Sequence, residues 1–270
     1  MAQWRVDSQS YKQPHNVTLH ETSIPVDRHG NVISGNYYMD IAKGKISGHS
    51  VAFVTGRAEN FATPSTIWNV GGMYPWSAWT GGTQVLYMNS TSASDTLSVL
   101  LNGLDANYNP ISKIVQLNGT TFVNSGTTQF SRLNSAYIID SGAMNVGQIN
   151  IRTASSTGTI VGRINPSIGQ TSMSIYTIPA GYTGFSMFGD FSVNKNEGAE
   201  LNARWRFFGG GFITVYAIEL YQQAYSAMPP IPGAIPEKTD IDNVAAYVST
   251  PNGTRVYSNQ QIILVRNDLL

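Results

Sequence analysis

Apolar residues in this chain recur at every second position far more often than at every third or fourth, the period of a strand rather than a helix. Residues 96–101 lead into the turn 105–110, residues 111–117 return, and Asn118-Gly119 follows. That is a predicted hairpin and a second tight turn. Residues 148–152 and 159–164 form another predicted pair. Residues 172–178 alternate cleanly and stop at Pro179, and Pro179-Ala180-Gly181-Tyr182 turns into a strand over 184–193. Residues 201–207 alternate with Arg204 and Arg206 on one face, until Gly209-Gly210-Gly211 breaks the run. Phe212–Tyr221 is the longest apolar strand and is expected at the centre of its sheet. Residues 244–249 and 261–266 supply the last two strands, with Pro251-Asn252-Gly253 turning between them. Short strands at near-regular spacing imply an all-β chain, a β-sandwich or a jelly-roll-like fold.

Residues 1–46 read differently. Tyr11 to Met39 is polar, contains Pro14, Pro25 and Gly35, and lacks an alternating run. It is expected to be an extended N-terminal arm lying on another surface. Residues 47–270 then make the β-sandwich domain. Its proline-rich connection, near 229–236, should run extended.

Charge is scarce. Asp, Glu, Lys and Arg make up 12% of the chain, about half the usual ~25%. Sixteen basic residues balance sixteen acidic ones. No net field therefore steers nucleic acid or an anionic membrane toward the chain, and both partners are set aside. The absence of Cys excludes disulfides, thiolate metal sites and Cys nucleophiles. The polar opening, residues 1–7, lacks the apolar region of a signal peptide. No stretch reaches the ~20 apolar residues of a membrane span. Asn16, Asn89, Asn118 and Asn252 match the glycosylation pattern but read as turn chemistry.

Residues 60–112 hold no Lys or Arg and only two acids, Asp95 and Asp105. Soluble surfaces need dispersed charge, so this segment reads as one that meets protein rather than water. Its rings Trp68, Tyr74, Trp76 and Trp79 are the candidate interface anchors. Two other readings stand beside that one: core packing under a glycine turn, and a sugar-stacking platform.

Patterns that carry chemistry are weak. Gly48-His49-Ser50-Val51-Ala52 resembles a nucleophile elbow, but no His follows position 49 to complete a triad. Gly44-Lys45 lacks the rest of a phosphate loop and reads as a turn. His15, His20, Glu21, Asp27 and His29 match no common zinc spacing and read as polar arm residues. Asp240 and Asp242 fall on one strand face. They suit a glycosidase pair or a calcium site, and the favoured reading is a solvated strand start. No metal, cofactor or catalytic residue is assigned.

A resemblance adds context. Thr66-Ile67-Trp68-Asn69-Val70-Gly71-Gly72-Met73-Tyr74-Pro75-Trp76 resembles a signature of structural proteins of tailed bacteriophages. Gly103-Leu104-Asp105-Ala106-Asn107-Tyr108, Phe130-Ser131-Arg132-Leu133-Asn134 and Ile235-Pro236-Glu237-Lys238-Thr239-Asp240-Ile241 accompany it. So do Val115-Gln116-Leu117-Asn118-Gly119-Thr120-Thr121 and Ile178-Pro179-Ala180-Gly181. The likeness runs over residues 47–270, and relatives commonly carry Asp at the position of Asn69. It implies a non-enzymatic virion protein, either capsid decoration or a neck or tail component. Its implied partners are copies of itself and other virion proteins. The alternative is a receptor- or glycan-binding module of a phage fibre or spike. A depolymerase acting through Asp240 and Asp242 is the third reading.

Overall fold

The computed structural model describes residues 37–59, 62–194, 197–222, 224–227, 233–250 and 253–270. Most of the expected arm, including His15, His20, Glu21, Asp27 and His29, lies outside the described residues, as does much of the proline-rich connection. The chain divides into two compact units, Met1–Val51 and Ala52–Leu270. In the described part of the first, helix α1 (Tyr37–Ala42) replaces the extended course expected up to residue 46. Tyr37 stands edge-on to both Tyr38 and His49.

Among the described residues seventeen strands follow, almost all in the second unit. The first are β1 (His49–Glu59), β2 (Ser65–Thr66), β3 (Gln84–Ser90), β4 (Ser98–Leu104), β5 (Pro110–Gln116) and β6 (Val123–Phe130). Next come β7 (Arg132–Ile138), β8 (Ile149–Arg152), β9 (Ile160–Ile164), β10 (Ile175–Thr177), β11 (Tyr182–Val193) and β12 (Gly198–Arg206). The last are β13 (Phe212–Tyr221), β14 (Ala224–Ala227), β15 (Ala234–Ile235), β16 (Asp240–Val248) and β17 (Arg255–Arg266).

These strands build two sandwiches, one inserted in the other. The outer sandwich stacks the sheet β1-β17-β11-β14 on the sheet β10-β16-β12-β13, with β15 added to β11 and β2 to β16. The inserted sandwich, β3 to β9, stacks β6-β3-β8-β9 on β5-β4-β7. Residues 47–270, expected as one sandwich, thus hold two. The chain is all-β, and the strand registers within each sheet are antiparallel.

Alternation decides which side chains go inside. On β12, Ala199 and Leu201 enter the outer core with Phe191, Leu220, Val248 and Val256, while Glu200, Asn202, Arg204 and Arg206 take the opposite face. On β4, Val99 and Leu101 enter the inserted core with Leu86, Met88, Phe130, Ile149 and Ile151. The expected hairpin of residues 96–117 is the β4–β5 pair, and that of 148–164 is β8–β9.

One expectation is corrected. Phe212–Tyr221 is not central: among the described residues β13 ends its sheet, with β12 as its neighbour. The last two long strands, β16 and β17, lie in different sheets.

Candidate functional site

The register of the outer sandwich brings together the charges that the sequence keeps apart. Arg204 lies directly across from Asp242, and Arg206 from Asp240, on the face turned away from the outer core. On the other flank of β16, Thr177 of β10 lies across from Asp240. Cross-strand pairs at this spacing meet side chain to side chain. Arg204 Nη2 donates to Asp242 Oδ2 at 2.6 Å, and Arg206 Nη2 donates to Asp240 Oδ2 at 2.5 Å. Thr177 Oγ1 donates to Asp240 Oδ1 at 2.6 Å.

A third guanidinium arrives from the inserted sandwich. Arg132, at the start of β7, donates from Nε to Asp240 Oδ1 at 2.8 Å and from Nη2 to Oδ2 at 3.2 Å. This two-point grip ties the inserted sandwich to the outer one. Asp240 is 2% exposed and Asp242 is fully buried. The solvated strand start expected for them is therefore wrong. Three guanidiniums neutralise two carboxylates, so the group carries one excess positive charge. Loss of water works against the charge on Arg132, but the hydrogen bond and the charge of Asp240 outweigh it, and the guanidinium is held above its ordinary pKa.

The phage-like signature closes the other side of this junction. Gly71 and Gly72 have φ of +86° and +71°, a left-handed turn that glycine adopts without strain. That turn brings the Gly72 carbonyl back to accept from Trp68 Nε1, Ser65 Oγ and the Thr66 backbone N–H. Thr66 Oγ1 accepts from the Tyr74 N–H and donates to Asp242 Oδ1 at 2.9 Å. Trp76 Nε1 donates to Asp242 Oδ2 at 3.1 Å. Trp68, Tyr74 and Trp76 meet edge to face in series, and Phe212 extends the row. Arg132 and Arg206 lie over the Trp76 ring, and Arg204 and Arg206 over Phe212, which favours charge at a desolvated site. Burial lifts the Tyr74 phenol far above its ordinary range, against the opposing hydrogen bond from Trp79.

The four expected interface anchors are therefore core. Trp68, Tyr74, Trp76 and Trp79 are between 2% and 7% exposed and pack with the inserted sandwich. Within the charge-free segment the rings lie inside, while Gly72, Met73, Ser77, Thr80, Gly81 and Gly82 beside them are exposed. Burial also removes the sugar platform. Asn69 donates from Nδ2 to the Arg163 carbonyl, and Arg163 Nη1 returns a bond to the Asn69 carbonyl. Arg132, Arg204 and Arg206 were missed as members of a site. The signal for two of them was present: two arginines at alternate positions of one strand, and two acids at alternate positions of another.

The exposed apolar surface lies instead on β13 and the turn before it. Phe208 is 65% exposed, Ile213 48% and Tyr221 63%, with Phe207, Val215 and Tyr216 also exposed. The register shift between Ala203 and Arg204 leaves Val215 as a bulge. Glu200 and Glu219 face each other across β12 and β13.

No family model matches the chain, and no curated protein matches it. Among solved structures it is similar to that of the infectious bursal disease virus Gx strain, at 12% identity and a TM-score of 0.22, over 81% of this chain and 72% of that one. It is similar also to the VP2 subviral particle of infectious bursal disease virus, at 9% identity and a TM-score of 0.18, over 82% and 73% of the two chains. The all-β assignment rests on the strands of this chain.

Proposed function

We propose that this chain is a non-enzymatic structural protein of a bacteriophage virion, built in several copies into the head, neck or tail. The observation that carries an assembly role is the exposed apolar edge of β13 on a chain whose basic and acidic residues balance. Such a surface associates rather than stays dispersed. The likeness of residues 66–76 to the phage signature supplies the virion context. Here the signature acts through structure: its glycine turn, threonine and tryptophans lock two sandwiches around Asp242.

The hydrolase reading loses its support at the same place. A glycosidase needs one carboxyl group free to donate a proton and another free to attack or to activate water. Asp240 and Asp242 instead accept from three guanidiniums, two hydroxyls and an indole.

Cryo-electron microscopy of purified particles tests the proposal. The expected result is density for this chain at fixed copy number, in a ring or on a capsid lattice. Particles that lack the chain by mass spectrometry overturn it.

A further inference from the structure

We infer that the outward face of the sheet β6-β3-β8-β9 is a binding site for an acidic sugar, a carboxylate-bearing saccharide held by Arg152 and Arg163. The inference goes beyond the assembly reading above and does not rest on it.

The charge balance of this sheet carries it. β3, β6, β8 and β9 contain no acid, and their two charged residues are Arg152 and Arg163. Residues 141–189 hold no Asp or Glu. Alternation places both arginines on one face. Ile149 and Ile151 of β8 enter the inserted core, which turns Asn150 and Arg152 outward. Asn150 lies across from Asn89 on one side and from Arg163 on the other. Arg152 lies across from Tyr87, and Tyr87 from Asn124. The face thus has two rows: Asn124, Tyr87 and Arg152, then Asn89, Asn150 and Arg163.

The two guanidiniums are poorly compensated where they stand. Both arginines are half-buried. Among the described residues neither forms an ion pair. Arg163 donates to neutral oxygens: from Nε to Asn150 Oδ1 at 3.0 Å, and from Nη1 to the Asn69 carbonyl at 3.3 Å. Arg152 donates from Nη1 to the Gly158 carbonyl at 3.0 Å, and its Nε is buried with no acceptor among the described residues. Loss of water, and then the charge of Arg152, hold the Arg163 guanidinium below its ordinary pKa. The Asp240 junction sets two carboxylates against three guanidiniums. Here two guanidiniums face none. A half-buried cation without a counter-charge is the state that an incoming anion relieves.

The neighbours select a sugar. A guanidinium grips a carboxylate through two parallel N–H bonds. Beside the pair stand the amides of Asn89, Asn124 and Asn150, a side-chain type that both donates to and accepts from hydroxyl groups. The Tyr87 ring offers a surface on which the apolar face of a sugar stacks. An acidic peptide would need apolar anchors beside the cations, and among the described residues no large exposed hydrophobic side chain lies on these four strands. Nucleic acid would need a longer run of phosphate contacts than two cations supply.

A glycan array probed with the labelled full chain tests the inference. The array carries sialylated, uronate-containing and neutral glycans, with polyglutamate as the peptide control. The expected result is retention on carboxylate-bearing glycans and none on neutral ones. The best-retained acidic glycan is then titrated in solution. Arg152→Gln and Arg163→Gln should each weaken binding about tenfold. Arg152→Lys keeps the charge but loses the fork, and should weaken it about threefold. Lys113→Gln, on the other sheet of the inserted sandwich, should leave binding unchanged. Melting curves accompany each variant, and if Arg163→Gln unfolds the chain, Arg152→Gln and Tyr87→Ala carry the test. Absence of retention on every acidic glycan, equal retention on neutral ones, or an affinity that both glutamine variants leave intact overturns the inference. Tighter binding to polyglutamate than to any glycan overturns it in favour of a peptide.

Discussion

Two apolar segments carry almost no charge, and the fold treats them in opposite ways. Residues 66–79 have three tryptophans and no regular alternation, and their rings are buried at the junction of two sandwiches. β13 runs through ten apolar-rich residues, and among the described residues it stands at a sheet edge with most of its side chains exposed, although Leu220 is buried. Sequence alone suggests the reverse assignment. Hydropathy reports that a segment avoids water, but not whether its own chain or another one shields it. Position in the sheet decides that, and position is set by partners far away in sequence.

The largest test of this contrast is Trp76→Ala. It removes a buried ring and the donor to Asp242, and should cost about 3–5 kcal/mol of unfolding free energy in a denaturant titration. A loss below about 1 kcal/mol would move the segment back toward the surface. Asp240→Asn should cost a similar amount, about 3–5 kcal/mol, by leaving the buried Arg132 and the half-buried Arg206 beside a neutral amide. Replacing only Lys113, a half-buried cation of β5 outside this cluster, should stay within about 0.5 kcal/mol in the same titration.

Gly72→Ala comes next, at about 1–2 kcal/mol, because φ of +71° is strained for any residue with a Cβ. A neutral result would show that the signature turn is free to adopt another shape.

Acid supplies a further test within the inserted sandwich. Burial alone would raise the Asp95 pKa, but the Ser90 hydroxyl and the Val146 and Gly147 backbone N–H groups outweigh it and hold the carboxyl below its ordinary value. A group lowered in the folded state stabilises above its unfolded pKa, about 4, and that stability is lost as pH falls through the folded value. The melting temperature should therefore drop below about pH 4, and Asp95→Asn should flatten that part of the profile. An equal drop in the variant would assign acid loss to other carboxylates.

Ile213→Ser should have the smallest effect on the isolated chain, within about 0.5 kcal/mol, since the residue is already 48% exposed. A loss above about 2 kcal/mol would make β13 part of the core and dissolve the contrast.

Much of the strand pattern was legible. β8, β9 and the β4–β5 hairpin follow from local alternation and turn residues. The shared face of Asp240 and Asp242, and that of Arg204 and Arg206, also follows from the period of two. Their union does not, because no local rule says that β12 pairs with β16 or that Arg132 arrives from 108 residues away. The two-sandwich division was illegible for the same reason: nothing near Thr66 signals that its strand partner is Val244.

That separation governs how the molecule can be made. The inserted sandwich has all its strands once the chain has grown to Ile164, whereas β1 must wait until β17 (Arg255–Arg266) has been made. Pairings this distant fold slowly and leave edges open meanwhile. A ribosome therefore delivers all the strands of the inner sandwich while the outer one still lacks its partners. The clasp of Asp240 on Arg132 forms only after β16 has emerged.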